Sequence, residues 1–245
     1  MGFYEDFIEK YDKLVSFETR VKRSTKFYSA LFSKNNVKTI LDCACGTGHH
    51  VIMFNQMGFK AKGSDLSPAM IKKAKINAKK YNMSTVFKIS DFMRLTKTFK
   101  NEKFDAVICI GNSLPHLSSD QELTKALYEM HNVLNKGGLL VLSQRNYDKL
   151  VKLKKRFFPV AIRGGEVFIY ALDYFPEKII FNVLYLDTTS KKFQVYSTPY
   201  YPLKKDRLAK IIRKVGFTNL KFSQDYSFSH FDKNKSDELI VVCKK

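Results

Sequence analysis

The sequence predicts an α/β fold: a doubly wound, mostly parallel seven-stranded sheet with an N-terminal helical lid and an antiparallel β insertion. Three observations carry this expectation. Apolar runs of strand length alternate with helix-period segments between Thr39 and Ser143, an order that places parallel strands between two helical layers. The first run, Thr39-Ile-Leu-Asp-Cys43, leads into Gly46-Thr-Gly48, and the second, Lys60–Ser64, ends at Asp65 before another helix pattern. A strand, a glycine turn, a helix and an acid ending the next strand form a nucleotide-binding half-fold, with the acid placed to accept from ribose hydroxyls. After Ser143 the texture changes to short β-rich runs before a helix and two strands return.

Residues 3–33 read as helical, because Phe7, Ile8, Tyr11, Leu14 and Val15 recur at helix spacing and Phe27, Leu31 and Phe32 begin a second stripe. Strand one is Thr39–Cys43, followed by a helix from His49 to Met57 and strand two at Lys60–Ser64. Ser67-Pro68 opens the next helix, with serine as N-cap and proline at the first helical position. Thr85–Ile89 and Phe104–Ile110 supply strands three and four. Ser119-x-x-Glu122 is a capping box before Leu123, Ala126, Leu127, Met130 and Leu134. That helix stops at Asn135-Lys-Gly-Gly138, and Leu139–Ser143 is strand five. Glu166–Tyr170, Lys178–Leu186 and Phe193–Tyr196 read as an antiparallel insertion. Leu208, Ile211, Ile212 and Val215 line one helix face, Gly216 stops it, and Thr218–Phe222 and Leu239–Cys243 are the last strands.

At 245 residues the chain suits one elaborated domain with a sizeable core, and its 44% apolar content is that of a globular protein. No apolar run approaches the roughly 18–20 residues of a membrane span, and Met1–Phe7 lacks the pattern of a secretory signal. Cys43, Cys45, Cys109 and Cys243 show no paired metal spacing, so a reduced, cytoplasmic protein without a metal is expected. The net charge of +20 raises nucleic acid as a partner. Against it, Lys72, Lys73, Lys75, Lys79 and Lys80 interleave with Ile71, Ala74, Ala78 and Tyr81 as one solvated helix face. The densest run, Lys152 to Arg156, falls in an expected loop. Homo-oligomerisation is left open.

The glycine turn, Asp42-x-x-x-Gly46-x-Gly48, has no third glycine three residues on and no positive residue to meet a phosphate. It resembles the first motif of class I S-adenosylmethionine (SAM)-dependent methyltransferases, whose cofactor carries ribose and adenine but no phosphate. The resemblance implies a Rossmann-like methyltransferase fold and a SAM-binding set of Arg20, Asp42, Ala44, Gly46, Gly48, Asp65, Leu66, Met70, Asp91, Phe92, Ile110 and His116. Met70 would pack on adenine, Asp91 would meet its amino group and Asp65 would bind the ribose. Met70 as ordinary core and Asp91 as a loop cap are the plainer alternatives. On this reading, residues 38–150 of a single domain over 1–245 form the SAM-binding core. Residues 1–37 form the lid, 151–203 the substrate-side insertion and 204–245 the completion of the sheet.

Two further pieces are more discriminating. Gly111-Asn-Ser113 with His116-Leu117, and Gly137-Gly-Leu-Leu-Val141 with Gln144-Arg-Asn-Tyr-Asp148, resemble the glycine and glycine/sarcosine N-methyltransferase families. The likeness implies that Arg145 grips a substrate carboxylate, that Asn112 assists, that Tyr200 of Tyr200-Tyr201-Pro202 positions substrate, and that Arg20 lies near the cofactor carboxylate. Independently, Arg145 ends an apolar strand at the sheet edge where ligands of open α/β folds bind, and a guanidinium there suits a bidentate carboxylate contact. Pairing with Asp148 or another structural acid is the alternative. His116 has two readings, general base or structural neighbour of the cofactor. The family's N-terminal aromatic residues are not reproduced in register, although Tyr4, Tyr11 and Phe17 lie nearby, and residues 151–199 match weakly.

Methyl transfer to an amine is an in-line displacement from an activated donor, so positioning dominates and no covalent intermediate or metal is expected. The expected function is SAM-dependent N-methylation of a small amino acid such as glycine, sarcosine or dimethylglycine. Another small-molecule acceptor, or RNA held by the basic surface, is the alternative. Against RNA, Asn112 is followed by Ser113-Leu114 and not by the Pro-Pro-aromatic motif of base N-methyltransferases.

Overall fold

In the computed structural model, residues 7, 8, 10, 17–158 and 161–245 are described, without the side chains of Thr19, Arg20 and Arg163. Tyr4, Tyr11, Leu14 and Val15 lie outside them; Phe7, Ile8 and Lys10 are helical. The first continuous helix, α1, is Phe17–Lys34. Then β1 (Thr39–Asp42), α2 (His49–Gln56), β2 (Lys60–Asp65), α3 (Pro68–Lys80), β3 (Phe87–Ile89), a short α4 (Leu95–Thr98) and β4 (Phe104–Cys109) alternate. After α5 (Asp120–Val133), β5 (Leu134–Arg145) and α6 (Tyr147–Leu153), a β-rich stretch comprises β6 (Ala161–Arg163), β7 (Glu166–Tyr174), β8 (Ile179–Asp187) and β9 (Lys192–Tyr200). The chain finishes with α7 (Lys205–Val215), β10 (Thr218–Ser223) and β11 (Glu238–Lys244).

The seven-stranded sheet has the order β10-β11-β5-β4-β1-β2-β3. The five strands β3 to β5 run parallel, and β11 enters antiparallel between β5 and β10. Side-chain alternation assigns its two faces: Leu41, Val107, Leu140 and Leu142 join α5 and α7 in one core, whereas Ile40, Ala106, Ile108 and Val141 join α1, α2 and α3 in the other. Strands buried on both faces read as continuous apolar runs for this reason. The β6-β7-β8-β9 sheet is antiparallel throughout and has its own core, in which Phe168, Phe181 and Tyr200 pack with Tyr147 and Leu150 of α6.

The caps act as the sequence indicates, with one shift. The Ser67 hydroxyl accepts the Met70 N–H, and that of Ser119 accepts the Glu122 N–H. The Glu122 carboxylate reaches back one residue further than a capping box requires, to the Ser118 N–H at 2.7 Å. Two expectations are corrected. Lys152 belongs to α6, which is N-capped by Asn146, and not to a loop. Strand five begins at Leu134 and takes in the glycine turn: Phe104 pairs with Leu134 but Ala106 with Leu139, so Asn135–Gly138 bulge out between them. Among the described residues no helix is long and apolar enough to cross a membrane.

Candidate functional site

The C-terminal ends of β1, β2 and β4 meet at a pocket of about 450 Å³. Its floor is the turn from Cys43 to Thr47, in which Gly46, like Gly48 just behind, takes a φ that favours glycine, 52° and 84°. Asp65, at the end of β2, clasps this turn: one carboxylate oxygen accepts the Gly46 N–H at 2.8 Å and the other the Ser67 N–H at 3.0 Å. From α3, the Asn77 side-chain amide donates to the Thr47 carbonyl at 3.0 Å. Burial raises the Asp65 carboxyl above its ordinary value, against the pull of the backbone N–H bonds.

Of the residues expected at a cofactor, Ala44, Gly46, Asp65, Leu66, Met70, Asp91, Phe92, Ile110 and His116 all line the pocket. Asp42 and Gly48 do not. Asp42 is buried and accepts the Ala44 N–H at 3.2 Å, and a Cβ on Gly48 would stand 2.9 Å from Phe87, so these two shape the turn from behind. Arg20 lies in α1, and its side chain is outside those described. Asp91 combines its two readings, capping Met93 N–H at 2.7 Å while facing the pocket. Cys43, Cys45, His49, His50, Met93 and Ser113 also line it. These six carry no separate signal in the sequence, although four adjoin the glycine turn. Burial raises the Cys43 and Cys45 thiols well above their ordinary values, so they stay neutral.

The lining fits an adenosyl cofactor with a positive centre. Leu66, Met70, Phe92 and Ile110 supply apolar wall for a purine, and Asp65 and Asp91 supply acceptors. The described lining holds the acids Asp65, Asp91 and Glu122 but no lysine or arginine, which opposes a phosphate and suits a sulfonium.

Beyond the pocket, β4 turns back through Gly111 and Asn112, with φ of 75° and 70°. The turn is docked on β5, where the Gly111 N–H reaches the Ser143 hydroxyl at 2.9 Å and the Asn112 N–H the Ser143 carbonyl at 3.1 Å. Asn112 Oδ1 accepts two bonds, from the Arg145 N–H at 3.0 Å and the Tyr147 hydroxyl at 3.1 Å. Its Nδ2 is buried with no hydrogen-bond partner among the described residues. The half-buried Arg145 guanidinium lies 5.4 Å from the ring centre of Phe158, 5.9 Å from Tyr170 and 5.3 Å from Phe181. No carboxylate among the described residues pairs with it. Asp148 is engaged elsewhere, by the Lys205 N–H at 2.8 Å.

Tyr200 packs flat on Phe181, with ring centres 5.3 Å apart, and edge-on to His116 at 4.9 Å. Tyr201 turns away: its hydroxyl meets Asp120 at 3.3 Å and Arg207 covers its ring. Desolvation lowers His116 to about 4, which keeps its imidazole neutral across physiological pH. Arg145, Asn112, Tyr200 and His116 thus converge, whereas Tyr147 and the three-ring box were not foreseen. Tyr147 stands inside the Arg-Asn-Tyr piece; of the rings, Tyr170 and Phe181 come from the second sheet and Phe158 from the segment before it, and none carries a local signal.

A family model described as methyltransferase domain matches residues 40–138. The glycine/sarcosine N-methyltransferase of Aphanothece halophytica is 30% identical over 99% of this chain and 89% of its own length. The mouse glycine N-methyltransferase is 36% identical over 49% of this chain and 45% of its own. Among solved structures, an S-adenosylmethionine-dependent methyltransferase from Clostridium acetobutylicum superposes with a TM-score of 0.81 at 19% identity, covering 98% of each chain.

Proposed function

The chain belongs to the glycine/sarcosine N-methyltransferase family, and from that footing we propose that it methylates the amine of a small amino acid such as glycine, sarcosine or dimethylglycine. It is a SAM-dependent methyltransferase. Two observations support an amino-acid acceptor: Asn112 Nδ2 is buried without a partner among the described residues, and the guanidinium of Arg145, whose backbone N–H bonds the same Asn112 side chain, is paired by no described carboxylate. A buried donor left unmade costs about 1–3 kcal/mol, and a carboxylate is the ligand group that both a guanidinium and an amide NH2 would bind.

Bound SAM supplies an activated methyl group on a sulfonium. In this reading Asp65 holds the ribose, Leu66, Met70 and Phe92 wall the purine, Asp91 accepts from its amino group, and Arg20 takes the cofactor carboxylate. Arg145 and Asn112 would hold the acceptor carboxylate, and Tyr200 would orient the amine, bound in its unprotonated form, toward the methyl donor. His116, neutral and packed on Tyr200, walls the junction between the two halves without charge. The test is mass-spectrometric detection of methyl transfer from SAM to glycine, sarcosine and dimethylglycine, with ethylamine as an amine lacking the carboxylate. Turnover of at least one amino acid and little of ethylamine is expected. Equal turnover of ethylamine, or none of the three amino acids, overturns the acceptor assignment.

A further inference from the structure

We propose that Tyr147 is a positioning residue that locks the Asn112 amide with its NH2 facing the acceptor, an inference that rests on the amino-acid reading of the site. Asn112 Oδ1 is held from two elements, by the Arg145 N–H at the end of β5 and by the Tyr147 hydroxyl at the start of α6. A backbone N–H can only donate, so it excludes the flipped amide, which would set donor against donor. One bond alone leaves the amide free to swing about that contact; the second, from a fully buried tyrosine, removes the swing. With the oxygen saturated, the only hydrogen-bonding capacity Asn112 offers is Nδ2, buried without a partner among the described residues. At this position the side chain therefore presents a donor alone, which suits a carboxylate and not an ammonium.

The neighbours explain why the lock holds. Asn146 accepts the Asp148 and Lys149 N–H groups as the N-cap of α6 and donates to the Lys233 and Ser236 carbonyls, so the helix start is fastened to the loop before β11. Three consecutive residues thus act in different directions: Arg145 faces the acceptor, Asn146 anchors the helix, and Tyr147 aims Asn112. Burial also raises the Tyr147 phenol well above its ordinary value, which keeps the proton that the contact with Oδ1 requires.

The test is a double-mutant cycle of Tyr147→Phe and Asn112→Ala, read as KM for the amino-acid acceptor, kcat, and SAM affinity by calorimetry. One neutral hydrogen bond corresponds to roughly a three- to tenfold effect, so Tyr147→Phe is expected to raise acceptor KM by about that factor and to leave SAM affinity unchanged. In the Asn112→Ala background the same substitution should add nothing, because its target is gone. Additive effects, or a parallel loss of SAM affinity, overturn the proposal in favour of a general packing role. Should wild type methylate no amino acid, the acceptor reading fails by itself, and the lock is read on the side-chain amide resonances of 15N-asparagine-labelled protein. Asn112 signals that shift or broaden in Tyr147→Phe support the lock; unchanged signals sink it. Should Tyr147→Phe fail to fold, Tyr147→Met, which likewise lacks the hydroxyl, takes its place under the same criteria.

Discussion

Asp65 and His116 show how burial sets the roles of single residues. The Asp65 carboxylate already accepts two backbone N–H bonds, so it both holds the turn and faces the pocket. Hydrogen bonds to a charged group contribute roughly 1.5–3 kcal/mol, so Asp65→Ala should weaken SAM binding by about ten- to a hundredfold. Calorimetry giving wild-type affinity in a folded Asp65→Ala protein would remove it from the cofactor site. His116 yields a pH prediction of definite sign. Its folded value is about 4 against 6.5 ordinarily, so between those values the unfolded chain binds the extra proton. Stability is then fully present above pH 6.5 and falls as pH drops toward 4, by roughly 3 kcal/mol in all. Denaturant melts from pH 7.5 to 4.5 should show this decline in wild type and a shallower one in His116→Gln. Coincident declines would mean that the histidine is not buried neutral.

Among the elements, the glycine turn separates cofactor contact from packing. Gly46 lines the pocket, but Gly48, at φ 84°, turns its missing side chain toward Phe87 and Ala74, 2.9 and 3.0 Å from where a Cβ would stand. Gly48→Ala should therefore cost about 2 kcal/mol through strain and overpacking, lowering the melting temperature by roughly 4–8 °C. SAM affinity should fall less than in Asp65→Ala; a loss as large would place Gly48 at the cofactor after all. The elements best legible in the sequence were those whose signals are local: apolar β1, β4 and β5, the Ser67 and Ser119 caps, and the Gly216 stop. Helix α6 carries little local signal, because its lysines mask a short apolar face whose partner is the second sheet. Asn135–Gly138 read as a turn since bulged residues leave the ladder and carry turn chemistry even inside a strand.

At the scale of the whole molecule, the proposed cofactor pocket lies at the ends of the seven-stranded sheet, and the proposed acceptor residues gather rings from the second sheet. Every pocket-lining residue falls between Cys43 and Glu122, inside the segment matched by the methyltransferase family model, which ends at residue 138. Arg145 lies beyond it, and its guanidinium is boxed by Phe158, by Tyr170 of β7 and by Phe181 of β8. That division explains what could be read beforehand: the cofactor turn is contiguous, whereas the box gathers rings whose alternation resembles that of any half-buried strand. It also sets a prediction about independence of the halves. Arg145→Lys keeps the charge but loses the planar fork and its stacking, so kcat/KM for the amino-acid acceptor should fall about ten- to a hundredfold. Phe181→Leu keeps the fork and removes one wall, and a cation–π contact of about 0.5–2 kcal/mol makes the expected loss about two- to thirtyfold. Because both act on the same guanidinium, the pair should lose less than the product of the two. SAM affinity should stay within about twofold in all three variants, because neither Arg145 nor Phe181 lines the pocket assigned to the cofactor. A fall in SAM affinity matching the fall in kcat/KM would show that the second sheet supports the whole site and not its acceptor half alone.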